Sequence, residues 1–343
     1  MKKTSYRYTI MFLFFILLII VSIFSLLAGR YNISLNDGFI LVKSLITGAD
    51  ISNNSYLSNI YTVIFNIRLP RILGALIIGS ALGVSGAMLQ SVFANPLVSP
   101  GIMGVLSGAS FGAAFGIITF SSWALVQIST LIFGIVALLL ALFVAFIYRS
   151  TSSIMLVLGG MISGAFFNAL LSIVKLSADP NNDQLSSIVF WLMGSLSMID
   201  SGNILLKAGL PLFILLIFSL FLGRILNLLS MSDEEAYSLG LNVSFYKILV
   251  LLVASVLAST TVVMAGNIGW VGLIIPHISR MIIGPDNRYL LPFSALTGAI
   301  FLLICDNVVR NLFQYEIPLG IITSIIGLIV FVIVLKNKGK GWR

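Results

Sequence analysis

The strongest constraint on this chain is a series of ten apolar runs that fill most of its 343 residues. A helix needs roughly 20 apolar residues to cross the hydrocarbon core of a bilayer. The runs lie at 9–28, 72–93, 102–120, 123–148, 154–174, 204–223, 248–265, 268–283, 290–309 and 317–335. Only 9% of the residues are charged, whereas a soluble domain has about 25%. The sequence therefore predicts one all-α polytopic membrane domain, residues 1–343, with about ten transmembrane helices.

Two segments need separate interpretation. The apolar segment at 187–199 is too short to cross a bilayer, and we interpret it as a half-helix or re-entrant element. The first run follows Lys2, Lys3 and Arg7, as the apolar part of a signal peptide would. It is longer than the usual hydrophobic region of a signal peptide, which favours an uncleaved membrane anchor.

The Lys and Arg residues predict the orientation of the helices. With the N-terminus in the cytoplasm, ten spans return the C-terminus to that side, and twelve of the nineteen Lys and Arg residues then lie inside. Four of them stand in the tail: Lys336, Lys338, Lys340 and Arg343. Membrane orientation thus explains the net charge of +8, so no nucleic-acid partner is inferred. The single cysteine, Cys305, excludes a disulfide framework and a cysteine-rich metal site.

Three arginines fall on the outer side in this orientation, against the general bias. Arg68 and Arg71 flank the start of the second span, and Arg310 ends the ninth. Charge placement alone leaves two interpretations open: the long side chains snorkel to the interface, or they have another function. Asp306 precedes Arg310 by four residues, a spacing that predicts an ion pair on one helix face.

Glycines recur at every fourth position of the third span and form a pair in the second. They are Gly104, Gly108, Gly112 and Gly116, and Gly79 with Gly83. Small residues on one face let two helix backbones approach closely inside a membrane. We interpret both groups as packing surfaces, while a pathway-lining role for some of these glycines stays open.

The loop 224–247, between the sixth and seventh spans, contains the signals of a short capped helix. Ser232 has the capping-box spacing to the last of three acids that complement the helix dipole. These acids are Asp233, Glu234 and Glu235. Gly240 is placed to end the helix in a left-handed conformation, and Ala236 and Leu239 are expected to form a small apolar contact. A helix this short is marginal alone, which favours a docking element over a connecting turn.

From about residue 60 to the C-terminus, a set of short motifs follows in a fixed order. They are Arg68-Leu69-Pro70-Arg71, Gly86-Ala87-Met88-Leu89-Gln90, Asn95-Pro96-Leu97, Gly104-Val105-Leu106-Ser107-Gly108-Ala109, Glu234-Glu235-Ala236 with Leu239-Gly240, the segment 266–277, Asp306 with Arg310, and Ile317-Pro318-Leu319-Gly320. Together they resemble the FecCD-type permease family of ABC importers for iron–siderophores, haem and cobalamin. Two residues depart from the family pattern: Asn267 stands where proline is common, and Trp270 where phenylalanine is common.

The resemblance implies the type II ABC importer permease fold in a dimer, either a homodimer or a pair of paralogues. Two ATPase subunits, which carry ATP and Mg, would bind inside, and an extracytoplasmic substrate-binding protein would dock outside. The chain has no G-x-x-x-x-G-K-[ST] phosphate loop, so we expect a transport subunit without a cofactor or catalytic residues of its own. Its expected location is the cytoplasmic (inner) membrane of a bacterium or archaeon.

The resemblance also implies roles for particular residues. Arg68, Arg71 and Arg310 would meet acidic side chains of the binding protein, with Asp306 holding Arg310. The coupling segment would comprise Asp233, Glu234, Glu235, Ala236, Leu239 and Gly240. The pathway candidates are Ser163, Gly164, Asn168 and Asn182. A lone histidine cannot form a metal cage, so we interpret His277, after Pro276, as structural.

Two other classes of membrane protein fit the sequence less well. An ion-coupled secondary transporter would bury ionisable residues near the midplane, whereas Lys175, Lys207 and Asp306 fall near predicted outer ends. A membrane enzyme would need paired carboxylates, a histidine cluster or an activated nucleophile, and one histidine with eleven scattered acids offers none. Within the importer class, a ferric siderophore is the expected substrate, and haem, cobalamin and an oxyanion remain alternatives.

Overall fold

The computed structural model describes residues 2–31, 33–47, 54–147, 153–179, 183–199, 204–312 and 315–336. Asn182, Lys338, Lys340 and Arg343, which the sequence singles out, lie outside the described residues. Within the described ranges the regular elements are fourteen helices. They are α1 Lys2–Leu27, α2 Leu35–Thr47, α3 Ser55–Val92, α4 Val105–Thr119, α5 Trp123–Ile147, α6 Ser153–Ser177, α7 Gln184–Leu192, α8 Leu205–Phe221, α9 Gly223–Leu229, α10 Asp233–Ser238, α11 Val243–Ala265, α12 Val271–Ile283, α13 Asn287–Leu312 and α14 Leu319–Lys336.

Nine of the described helices and one bent pair of helices correspond to the ten apolar runs of the sequence. Six helices among the described residues are long and apolar enough to cross a bilayer: α1, α3, α5, α6, α11 and α13. The pair α8 and α9 makes a seventh candidate, bent by 57° between its two parts, and α4, α12 and α14 are shorter apolar helices. Each apolar run of the sequence thus contains its own helix or bent pair, and α7 occupies the start of the short segment at 187–199. The predicted all-α polytopic fold is confirmed.

Helix α3 differs from the expected second span, because it begins at Ser55 rather than near residue 72. Its turn Thr62–Arg68 is π-helical, with the Leu69 N–H donating to Ile64 five residues back. Pro70 follows at once, and a proline lacks the N–H that an α-helix requires. A widened turn accommodates the ring and lets the helix continue. Arg68 and Arg71 therefore lie inside a long helix, and not at the start of one.

The same device recurs at α8. Leu205–Gly209 is π-helical, the Leu210 N–H donates to Leu205, and Pro211 follows. In both helices a Leu-Pro pair comes directly after the widened turn. The two sites therefore share one sequence feature, a Leu-Pro pair that directly follows a π-helical turn.

Glycine faces bring the central helices into close contact, as the sequence predicts. A Cβ on Gly79 would overlap the carbonyl of Gly298, and one on Gly298 would overlap the carbonyl of Gly79, so α3 and α13 cross there backbone to backbone. Gly108 and Gly112 of α4 approach the backbone of α5 in the same way. In a membrane such close packing replaces the hydrophobic drive that acts in water.

Three helices, α7, α11 and α14, end or begin inside the protein and are joined by backbone hydrogen bonds. The Ser195 N–H donates to the Ala265 carbonyl at 2.8 Å, which ties the segment after α7 to the end of α11. The Leu319 N–H donates to Gly194 at 2.8 Å, and the Gly320 N–H to Met193 at 3.0 Å, so the start of α14 is tied to the same segment. Broken helices are tolerated within a membrane when their free backbone groups find partners inside the protein.

Candidate docking, coupling and pathway sites

The short helix α10 is capped at both ends, as the sequence predicts. Ser232 Oγ accepts from the Glu235 N–H at 3.3 Å, and Glu235 Oε2 accepts from the Ser232 N–H at 3.1 Å, which completes the capping box. Gly240 has a φ of +82°. Its N–H donates to Tyr237, and the Leu241 N–H donates to Ala236, the paired bonds of a Schellman motif. These bonds satisfy backbone groups that a helix of one or two turns otherwise leaves free.

Helix α10 is fastened to its own membrane domain on one side only. Ala236 is 1% exposed, and Asp233 Oδ2 accepts from Lys247 Nζ at 2.7 Å, which joins α10 to α11. Leu239, in contrast, is 62% exposed. The expected apolar contact between Ala236 and Leu239 is therefore wrong, because the chain turns into the left-handed conformation directly after Leu239. Glu234 and Tyr237 are also exposed, so the free side of α10 presents an acid, an aromatic ring and a leucine.

Arg68 lies inside the protein and holds the C-terminal end of α1. It is 4% exposed, and its guanidinium donates to the carbonyls of Leu26 at 2.7 Å, Leu27 at 2.8 Å and Tyr31 at 2.6 Å. The Leu26 and Leu27 carbonyls belong to the last turn of α1, where the helix leaves them without backbone donors, and Tyr31 follows the helix. The geometry gives Arg68 a structural function as a C-terminal cap of α1.

Arg71 and Arg310 share one buried carboxylate, that of Asp306. Arg71 Nε donates to Asp306 Oδ1 at 2.7 Å, and Arg310 Nε lies 3.0 Å from Asp306 Oδ2, so the expected i,i+4 pair is present. Asp306 is fully buried and Arg71 is 7% exposed. Arg310 also donates to Asn307 and Ser25. The cluster therefore joins the C-terminal ends of α1 and α13 to the middle of α3.

Glu316, in the segment before α14, is the residue of this cluster that sequence reasoning missed. Its Oε1 accepts from Arg71 Nη1 at 2.8 Å, and its side chain is 42% exposed. Partial burial acts to raise the pKa of Glu316, but the hydrogen bond and charge of Arg71 outweigh it and hold that pKa below its ordinary value. In the sequence, Glu316 is a single acid next to the Ile317-Pro318 motif. Its role depends on a contact with Arg71, which is distant in sequence, so the sequence alone does not reveal it.

The three outer arginines were expected at an exposed docking surface, and the structure places Arg68 and Arg71 in the interior. What remains open to the outside is a cavity of about 200 Å³, lined by Gly29, Arg30, Tyr31, Val63, Ile67, Arg68, Arg71, Arg310 and Glu316. Snorkelling to the interface does not describe these side chains, because they bind protein groups. Their docking role stays a prediction, and any docking partner would have to reach them through this cavity.

A second cavity, of about 480 Å³, lies where α4, α6 and the junction of broken helices meet. Its polar lining groups are neutral: Ser99, Ser107, Ser110, Asn168 and Asn267. Of the three pathway candidates that the structure describes, Ser163, Gly164 and Asn168, only Asn168 lines this cavity. Ser163 Oγ donates to the Ala137 carbonyl at 2.7 Å, and Gly164 packs against Gly104, so both serve helix packing here.

His277 is buried inside α12, one residue after Pro276. Within the described parts of the chain, no group of three or more His, Cys, Asp or Glu residues is arranged to hold a metal ion. The placement of His277 in a helix core agrees with the structural interpretation.

A cluster of charged and polar residues around Asp286, which the sequence does not predict, lies at the opposite end of the bundle. Asp286, in the turn before α13, accepts from Asn227 of α9 at 2.8 Å and from Arg288 at 2.6 Å, and it lies 3.6 Å from Arg7 of α1. The hydrogen bond from Arg288 holds the pKa of Asp286 well below its ordinary value, and Asn227 adds to this effect. Asn287 also accepts from Ser91 at 2.7 Å. The contacts of Asp286 and Asn287 thus join α1, α3 and α9 to the start of α13, close to the loop that contains α10.

The fold and these sites define a class of protein: a multi-pass permease that has no nucleotide-binding motif and displays a capped helix beside its membrane domain. The sequence model of the FecCD transport family matches residues 17–337, and the chain belongs to that family. It is accordingly the permease of a prokaryotic ABC importer, a transport subunit in the membrane whose family implies a second permease subunit, an ATPase and a binding protein.

Individual relatives transport different solutes. The molybdate import system permease protein MolB of Haemophilus influenzae is 40% identical over 99% of both chains. A probable iron chelatin transport system permease protein of Helicobacter pylori is 38% identical over 84% of this chain and 86% of its own. The hemin transport system permease protein HmuU of Yersinia pestis is 34% identical, covering 87% of this chain and 94% of its own. These names span oxyanion, iron chelate and haem, so the ferric siderophore expected from the sequence is not singled out.

A solved structure described as an inward-facing conformation of a putative metal-chelate type ABC transporter is also similar. It superposes with a TM-score of 0.85 at 38% identity and covers 96% of this chain and 99% of its own. The similarity extends over the whole bundle, and it confirms the importer permease fold that the sequence resemblance implies.

Proposed function

We propose that this chain takes a metal-containing solute from an extracytoplasmic binding protein and passes it inward by alternating access, driven by a separate ATPase that engages α10. The observation that carries the proposal is the construction of α10. A helix of six residues is too short to persist alone, yet this one is capped at both ends and anchored at Ala236. Its free side exposes Leu239 and Tyr237, which an isolated connecting loop has no reason to display.

Two copies of the chain, or this chain and a paralogue, would enclose the passage. Helices α6 and α14 support this proposal, because each presents large apolar side chains outward along its length, among them Ile173 and Leu328. The cavity beside Asn168 opens next to α6, and its polar groups are uncharged hydroxyl, amide, indole and backbone groups that lie among apolar side chains such as Leu106 and Leu171. A neutral polar lining suits a passage that must hold its solute weakly and release it.

Among solutes, we propose an oxyanion such as molybdate first. The support is the relative MolB, which matches over 99% of both chains, whereas the iron-chelate and haem relatives cited match over 84–87% of this one. Hydroxyl and amide donors in the 480 Å³ cavity are also groups that hydrogen-bond an oxyanion. A ferric siderophore is the second candidate, supported by the iron chelatin relative.

The proposed test is reconstitution of the permease in proteoliposomes with the ATPase and binding protein encoded beside it. Binding of molybdate, tungstate, sulfate, a ferric hydroxamate, haemin and cobalamin is first measured by quenching of the binding protein's fluorescence. Uptake of the solute that binds should then require ATP, the binding protein and an intact ATPase active site. Uptake that continued with a catalytically inactive ATPase would contradict the proposed energy source, and binding of the ferric hydroxamate alone would replace the first solute by the second.

A further inference from the structure

The outer cluster places one buried and one accessible carboxylate on the same guanidinium. Arg71 Nε is bound by Asp306, which is fully buried and shared with Arg310. Arg71 Nη1 is bound by Glu316, whose side chain is 42% exposed. Asp306 cannot leave without exposing two buried arginines, whereas Glu316 can turn into solvent. Arg71 Nη1 can therefore exchange its carboxylate partner more readily than Arg71 Nε can.

The charge around the outer cavity is unbalanced. Four arginines line it, Arg30, Arg68, Arg71 and Arg310, and Glu316 is the one acid of that lining. Asp306 lies behind them and is the second carboxylate of this cluster among the residues that the structure describes. Partly desolvated positive charge attracts further anionic groups more strongly than the same charge in water. The cavity is thus suited to accept a carboxylate from outside.

We propose that Glu316 is an internal competitor at this site, which occupies Arg71 Nη1 in the undocked permease and is displaced by a carboxylate side chain of the substrate-binding protein. The inference rests on the proposed function, because it assumes that the binding protein docks at the outer arginines. Docking at Arg71 then exchanges one carboxylate for another, so the net gain at this contact is small. Such an exchange gives orientation and rapid encounter without slow release.

The geometry supports the exchange in two ways. Arg71 is 7% exposed and lines the cavity together with Glu316, so a carboxylate that enters this cavity and binds Arg71 Nη1 competes with the Glu316 carboxylate for that atom. Glu316 also stands in the irregular segment 315–318, before the first turn of α14. Its side chain can therefore move without breaking helical hydrogen bonds, and the lowered pKa keeps it charged and competitive at neutral pH.

The test is the affinity of the binding protein for the permease held in lipid nanodiscs. Glu316→Gln removes the competing charge and keeps a side chain of the same shape. We expect its dissociation constant to fall on the order of three- to fivefold, as for loss of a partly exposed ion pair of up to about 1 kcal/mol. Glu316→Ala serves as the second variant, and thermal unfolding of both verifies that the fold is intact.

Two controls separate this effect from general charge. Asp37→Asn removes an acid from α2 whose carboxylate accepts hydrogen bonds from Ser34 and Tyr56, and it should leave the affinity unchanged. With Arg71→Gln in place, adding Glu316→Gln should cause no further tightening. Equal tightening by Asp37→Asn, or unchanged affinity of Glu316→Gln, would overturn the inference while the proposed function stands. If the unaltered permease fails to bind the binding protein at all, the proposed function itself is contradicted.

Discussion

At the scale of single residues, the outer end of the protein depends on Asp306. This carboxylate is fully buried and neutralises Arg71 and Arg310, which come from different helices. A buried charge is tolerated only with a partner, and removal of one partner leaves the other uncompensated. Asp306 therefore determines whether two arginines can remain inside the bundle.

Asp306→Asn is expected to lower the stability of the protein by about 3–5 kcal/mol, the usual cost of breaking a buried ion pair. Thermal unfolding in detergent measures the effect, and Asp37→Asn, which alters a half-buried acid of α2, is the control. An Asp306→Asn protein as stable as the control would show that the arginines are not held by this carboxylate.

Asp286 makes stability depend on acid pH. Its pKa is lowered in the folded protein by the hydrogen bond from Arg288, and Arg7 lies nearby. A lowered pKa means that the stabilisation is complete above the unfolded value of about 3.9 and is lost as the pH falls below it. We expect the melting temperature of the unaltered protein to fall more steeply between about pH 4 and pH 2 than that of Asp286→Asn. Parallel curves would exclude this contribution.

At the scale of elements, close helix crossings and capped ends decide the architecture. The capping box of α10 was readable from the sequence, because all its contacts lie within nine residues, from Ser232 to Gly240. The early start of α3 was not readable, because the π-helical turn before Pro70 lets the helix continue where a proline usually ends it. Regular local hydrogen bonding, such as a capping box, can thus be predicted from the sequence. A π-helical turn that accommodates a proline cannot, because the sequence around a proline usually predicts the end of a helix.

Gly86→Ala tests a crossing directly. A Cβ on Gly86 of α3 would overlap the backbone of Gly272 in α12, and neither backbone can move without shifting its helix. We expect a loss of about 1–3 kcal/mol, as for overpacking elsewhere, seen as a lower melting temperature. Gly269→Ala is the control, because no atom lies within 4 Å of its added methyl group. Equal stability of the two variants would contradict close packing of α3 on α12.

Leu239→Glu tests whether the free side of α10 contacts the ATPase. The side chain is exposed, and Leu239 contributes to the C-terminal cap only through its backbone N–H, so the permease should fold normally. A charge at an apolar contact should weaken the ATPase interaction and uncouple ATP hydrolysis from uptake. Leu239→Met, which keeps the volume and polarity, should remain coupled. Normal coupling in Leu239→Glu would exclude Leu239 from the contact.

At the scale of the whole molecule, the apolar runs and their order were predictable, whereas the outer cluster was not. A run of apolar residues records its environment in its own composition. The burial of Arg68 depends on carbonyls of Leu26 and Tyr31, and the role of Glu316 depends on Arg71, contacts that join distant parts of the chain. Such contacts leave no periodic trace in a single sequence. The arginines were therefore located correctly along the chain but not in depth.

The orientation of the molecule can be tested with its own cysteine as the background. Cys305 is the only cysteine and is fully buried, so it should not react with a membrane-impermeant maleimide in intact membranes. Ser238→Cys, on α10, and Thr47→Cys, on α2, then report opposite faces. We expect Thr47→Cys to be labelled in right-side-out vesicles and Ser238→Cys in inverted ones, with Cys305 labelled only after denaturation. Labelling of Ser238→Cys from outside would place α10 beyond the reach of any cytoplasmic ATPase and contradict the proposed mechanism.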